Sequence, residues 1–104
     1  MKQLLVIIKP FQANAVLDLV AQHEVEECMV DEVKGYGRQK NYLEQYRGSE
    51  YSLAFLPKVE ITIWATDAVA EKLAREIAHK AHTGLMGDGK ILVMDAAWPE
   101  AIEF

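Results

Sequence analysis

The chain has 104 residues, 51% of them hydrophobic and 26% charged, with a formal net charge of −5. These values are those of one soluble globular domain spanning 1–104, and the charge has the wrong sign for nonspecific nucleic-acid binding or for docking on an anionic membrane. Cys28 is the sole cysteine, so no internal disulfide forms, which suits a reducing compartment.

The apolar run Leu4 to Ile8, closed by Lys9-Pro10, predicts a buried strand. It is too short for a secretory leader, and no segment is long enough to insert in a bilayer. The expectation is a cytoplasmic protein. Val16, Leu17 and Val20, with Phe11 and Ala13 ahead of them, give one helical face between Gln12 and His23. Val25 to Tyr36 is rich in β-branched residues and predicts a second strand.

Residues 37–55 show no periodicity and mix Arg38, Lys40, Glu44, Arg47 and Glu50 with aromatic rings. So long a loop in a small domain is expected to be functional. Val59 to Thr66 alternates with period two, placing Val59, Ile61, Ile63 and Ala65 on one face and Glu60, Thr62, Trp64 and Thr66 on the other. Asp67 is the expected N-cap of a second helix, with Val69, Leu73 and Ile77 as its buried stripe. Glu71 with Arg75 and Glu76 with Lys80 are i,i+4 pairs on its wet side. Gly84 is its expected stop, and Ile91 to Met94 a last strand.

The order βαβ-loop-βαβ predicts an α+β, ferredoxin-like βαββαβ fold. Its antiparallel four-stranded sheet carries both helices on one face and a long loop between strands 2 and 3. The Trp64 face then needs a cover, and a homotrimer with its sheets inward supplies one.

Three segments carry candidate chemistry. They are Lys34-Gly35-Tyr36-Gly37-Arg38-Gln39-Lys40, Tyr46-Arg47-Gly48-Ser49-Glu50-Tyr51 and Thr83-Gly84-Leu85-Met86-Gly87-Asp88-Gly89-Lys90-Ile91. Glycines at strand ends let backbone N–H groups approach an anion, and Lys90 adds a compact positive charge suited to phosphate. Together with Ile8-Lys9-Pro10-Phe11 and Phe55-Leu56-Pro57-Lys58-Val59, these segments resemble the PII family of nitrogen and carbon signalling proteins, from the start of the chain to about Met94.

That resemblance implies a regulator rather than an enzyme. It implies a homotrimer with ATP, ADP or AMP in subunit clefts lined by Ile7, Met29, Gly35, Gly37, Arg38, Gln39, Trp64, Gly87, Asp88, Gly89 and Lys90. It implies 2-oxoglutarate with Mg²⁺ at Gln39 and Lys58, and modification at Tyr51 or Ser49. It also implies contacts from Tyr46, Arg47 and Glu50 with a membrane transporter or a metabolic enzyme, with no nucleic acid bound. Departures bear on the nucleotide. Ala101 and Glu103 stand where the family carries two phosphate-gripping arginines. Met29 stands for a threonine, Thr62 for a glutamate, Trp64 for a smaller apolar residue, Asn41 for a glycine and Leu92 for an aromatic ring. These changes imply a weakened ATP site with selectivity drifting towards ADP or AMP.

The alternative is a metal-linked ferredoxin-like trimer that has lost nucleotide sensing, with His79 and His82 at i,i+3 as ligands and Cys28 or His23 as further candidates. A Cys–His or Ser–His–Asp arrangement is not evident, and no carboxylate pair is placed together by the sequence, so an enzyme is not expected.

Overall fold

The computed structural model describes residues 1–35, 56–84, 89–97, 100 and 102–104. In chain order these form strand β1 (Lys2–Ile8), a 3-10 turn (Pro10–Gln12), helix α1 (Ala13–Ala21), strand β2 (Glu27–Gly35), strand β3 (Leu56–Ala65), helix α2 (Asp67–Ala81) and strand β4 (Gly89–Asp95). The strands make one antiparallel sheet in the order β2-β3-β1-β4. Strands β1 and β2 are therefore parallel and separated by β3, and β3 and β4 are separated by β1. These are two interleaved βαβ units, the ferredoxin-like layout expected from the sequence.

Period-two alternation decides which face is buried. Leu4, Val6 and Ile8 lie beside Ile63, Ile61 and Val59, and all six are buried. Val16 and Val20 of α1 and Ala70, Leu73, Ile77 and Ala81 of α2 close over them. Both helices therefore cover the same face.

Several boundaries differ from the sequence expectation, each for a local reason. Strand β3 starts at Leu56 and takes in Pro57, which lies opposite Lys34. The β1 pairing ends at Ile8↔Val59, so Pro57 sits on a strand that is locally an edge and its missing N–H costs no ladder bond. Helix α1 is shorter than 12–23, because Pro10 opens a separate 3-10 turn. At its end the backbone amides of Gln22 and His23 donate to the carbonyls of Leu19 and Val20, the tightening common in a last turn. Asp67 is not the N-cap of α2 but its first residue. Strand β3 stays paired to Ala65, so only Thr66 is left to make the turn, and its carbonyl accepts from the Ala70 amide. In that first turn Asp67 faces the positive end of the helix dipole. Helix α2 stops at Ala81 because His82 is extended, and Gly84, at φ +84, turns the chain two residues further on. Val69 is only half-buried, and the stripe runs through Ala70 instead. Glu76 reaches His23 at 2.8 Å rather than pairing with Lys80.

The central packing predicts a steep contrast along α2. Leu73→Ala should lower the unfolding free energy by about 2–5 kcal/mol, whereas Glu71→Ala, on the exposed side, should stay within about 0.5 kcal/mol of the parent. Urea titration followed by far-UV circular dichroism measures both.

Candidate functional site

Among the described residues nothing covers the face of the sheet turned away from the helices, and register pairing orders it in rows. Glu27, Trp64, Gln3 and Met94 form one row from β2 to β4, and Met29, Thr62, Leu5 and Leu92 the next. Asp31, Glu60, Ile7 and Lys90 make the third. Beyond it, Val33 lies opposite Lys58 at the end where β1 runs out into Lys9. Met29 is 54%, Leu92 46% and Met94 38% exposed, so the surface is largely apolar in its middle, with Glu27 at one corner and the other charges gathered at the Lys58 end.

Two lysines at that end are seated by glycines. A Cβ on Gly35 would lie 2.8 Å from Lys58 Cγ, so only glycine lets the Lys58 side chain cross the end of β2. Burial, and then repulsion from Lys9, hold the Lys58 amine below its ordinary pKa of 10.5. Gly89 has φ +148, and a Cβ there would stand 2.5 Å from the Ile7 carbonyl oxygen. A side chain at that position is excluded on both counts. Gly89 therefore lets β4 begin flush against β1 and sets Lys90 opposite Ile7.

Among the described residues, the predicted set is spread across all four strands. Ile7, Gly89 and Lys90 lie on β1 and β4. Met29, Gly35, Lys58 and Trp64 lie on β2 and β3. Three strand spacings, about 14 Å, separate the β2 edge from the β4 edge. Gly37, Arg38, Gln39, Tyr46, Arg47, Ser49, Glu50, Tyr51, Gly87 and Asp88 lie outside the described residues, as do Asn41 and Ala101.

Two hollows flank the sheet on its other side. One of about 350 Å³ is lined by Ile8, Ile77, Ala81, His82, Gly89 and Lys90, adjoining the lysine end. The larger, about 560 Å³, is lined by Val20, His23, Glu24, Glu26 and Thr66 at the opposite end, so size alone does not mark the lysine site. For the metal alternative, His23 Nε2 is engaged with Glu76 Oε2. Cys28 is partly buried in β2, with its thiol pKa pushed up by burial. Among the described residues no three His, Cys, Asp or Glu side chains are placed to hold a metal ion.

Sequence reasoning missed three features here. Lys9 was visible only as a strand stop, not as a neighbour of Lys58. Asp31 and Glu60 face each other across β2 and β3, a pairing that no single-strand pattern reveals. Gln12 is buried with an unpartnered Oε1, although the helical pattern begins at that residue.

The lowered pKa of Lys58 has a signed consequence for stability. The unfolded chain binds the proton more tightly than the folded one, so this lysine penalises folding at neutral pH. The penalty fades as pH rises through the lowered pKa towards 10.5. Lys58→Met should therefore be more stable relative to the parent at pH 7 than at pH 10. Urea midpoints of both proteins across that range test it, and a gap that is constant or widens would contradict the assignment.

The family model for nitrogen regulatory protein P-II matches residues 1–100. The nitrogen regulatory protein P-II of Klebsiella oxytoca is 46% identical over 97 residues, covering 93% of this chain and 87% of its own. The nitrogen regulatory protein P-II 1 of Escherichia coli K12 is 45% identical over 97 residues, with the same coverage. The P-II protein of Azospirillum brasilense is 44% identical over 93 residues, covering 89% of this chain and 83% of its own. The family-wide match, the identities and the ferredoxin-like sheet agree: this chain belongs to the nitrogen regulatory P-II family of signal-transduction proteins.

Proposed function

We propose that this chain is a cytoplasmic, homotrimeric regulator that works by binding rather than by catalysis. It takes small anionic effectors, an adenine nucleotide and 2-oxoglutarate, at clefts between subunits. It passes their state to a membrane transporter or metabolic enzyme through residues 37–55. The observation that carries this reading is the pair of glycine-seated lysines, Lys58 and Lys90, at one end of the sheet face turned away from the helices. A buried ammonium whose pKa is already lowered gains most from a carboxylate, and one preceded by a glycine that packs close to the neighbouring backbone suits phosphate.

Lys58 takes a carboxylate of 2-oxoglutarate, and the Gln39 amide oxygen completes the oxygen ligands of a Mg²⁺ ion. Lys90 and the Gly87-Asp88-Gly89 segment take the phosphates, with Gly35, Gly37 and Arg38 alongside. Ile7, Met29 and Trp64 line the base. The spread of these residues across the sheet, from Met29 and Gly35 on β2 to Gly89 and Lys90 on β4, fits a cleft that a second copy completes. Phosphorylation of Ser49 or nucleotidylylation of Tyr51 adds negative charge to the contact segment of Tyr46, Arg47 and Glu50 and so alters docking.

The tail weakens ATP. Ala101 and Glu103 remove two charge-assisted phosphate contacts, each worth about 1.5–3 kcal/mol, and so reduce ATP affinity by roughly two orders of magnitude even if they do not add fully. ADP and AMP lose less. Isothermal titration with ATP, ADP, AMP and 2-oxoglutarate tests this. Ala101→Arg with Glu103→Arg should recover ATP binding, Lys90→Ala should lose nucleotide, and Lys58→Ala should lose 2-oxoglutarate. Tight MgATP binding by the parent, unchanged by the double substitution, would refute the argument from the tail. Arg47→Ala should weaken capture of the regulated partner by about tenfold or more, the loss expected for a central arginine anchor, while the mass by light scattering stays that of three chains.

A further inference from the structure

We propose that the third row of the open sheet face is an inter-subunit ion clasp, in which Asp31 and Glu60 of one copy hold Lys90 of the next. The proposal rests on the homotrimer put forward above and assigns it a contact.

Asp31 on β2 and Glu60 on β3 are direct register partners, and both point away from the helices. Like charges set directly opposite each other destabilise a sheet. Neither carboxylate has an ion pair among the described residues. Lys90 stands in the same row at the other edge of the sheet, with Ile7 between it and Glu60. It too has no ion pair among the described residues. Asp31 on β2 is three strand spacings, about 14 Å, from Lys90, and Glu60 on β3 is two, about 10 Å, across Ile7. The absence of any pair among the described residues leaves both carboxylates to a partner outside the copy.

The row is bordered by apolar surface. Met29, Leu5 and Leu92 occupy the row next to it, and Trp64 and Met94 the one beyond. A second copy seated on that surface would exclude water from the charges and strengthen any pair formed there.

Symmetry then selects the partner. A ring whose axis runs along the strands keeps every row at its own height while bringing one copy's β2 edge beside the next copy's β4 edge. The acidic end of the third row thereby meets the basic end of the same row. A two-fold arrangement that abuts identical edges would set Asp31 and Glu60 against their own copies, or Lys90 against Lys90. The charge pattern thus fits a closed head-to-tail ring and opposes an isologous dimer. It also couples assembly to ligand. An anion that takes Lys90 competes with the neighbour's carboxylates, so the clasp acts as an internal competitor at the anion site.

Light scattering across a dilution series tests this on the full chain. Lys90→Glu, and separately Asp31→Asn with Glu60→Gln, should raise the dissociation constant of the ring by about tenfold or more. The charge-swapped variant Lys90→Glu with Asp31→Lys and Glu60→Lys should recover most of that loss, while circular dichroism shows all of them folded. A parent protein that runs as a single chain would overturn the trimer itself. A trimer indifferent to Lys90→Glu, or a charge swap that rescues nothing, would overturn the clasp and leave the trimer standing. Dissociation by a chelator with Lys90→Glu silent would give the carboxylates to a metal ion, and would likewise overturn it.

Discussion

The antiparallel pairing of β1 with β3, from Lys2↔Ala65 to Ile8↔Val59, is the constraint on which the other parts of the structure depend. It brings the two most apolar strands together at the centre of the sheet. It leaves β2 and β4 as edges, and it aligns Leu4, Val6 and Ile8 with Ile63, Ile61 and Val59 under the helices. A slip of one residue would invert every side chain on the slipping strand, turning Leu5 and Ile7 into the core if β1 moved, or Glu60 and Thr62 if β3 did. With two helices on one face, the other face is defined by exclusion.

That second face divides the labour by height along the strands. Towards the starts of β1 and β2 it is mainly apolar, with Trp64, Met94, Met29, Leu5 and Leu92 set among Gln3, Thr62 and, at the β2 corner, Glu27. Towards their ends it is charged, with Asp31, Glu60, Lys90 and Lys58. Two glycines make the charged end possible by giving up side chains where Lys58 crosses β2 and where β4 abuts the Ile7 carbonyl. The cost is visible in Lys58, whose ammonium is partly buried beside Lys9 and whose pKa is lowered. A binding site for anions is often maintained against such a cost, because the ligand relieves it.

The helical layer is held by a different polar contact. His23, in the turn after α1, meets Glu76 in the middle of α2 at 2.8 Å. It ties the end of the shorter helix to the longer one, where the helix pair is otherwise joined by apolar packing. The contact lies on the opposite side of the sheet from the charged rows, so the two polar systems serve separate purposes.

Much was legible in the sequence. The alternation from Val59 to Ala65, the helical spacing of Leu73 and Ile77 and the βαββαβ order were all readable, because periodicities of 2 and 3.6 are local properties of the backbone. The motifs around Gly35, Lys58 and Lys90 were readable for the same reason, and they pointed to the family that the comparisons establish. Register was not readable, because it is a relation between distant segments. Only the folded sheet set Asp31 opposite Glu60 and put Lys90 in the same row at the far edge. Asp67 as a cap and Glu76 with Lys80 were sound local expectations. Tertiary pairing overrode both: strand β3 ran on to Ala65, and His23 came within reach of Glu76.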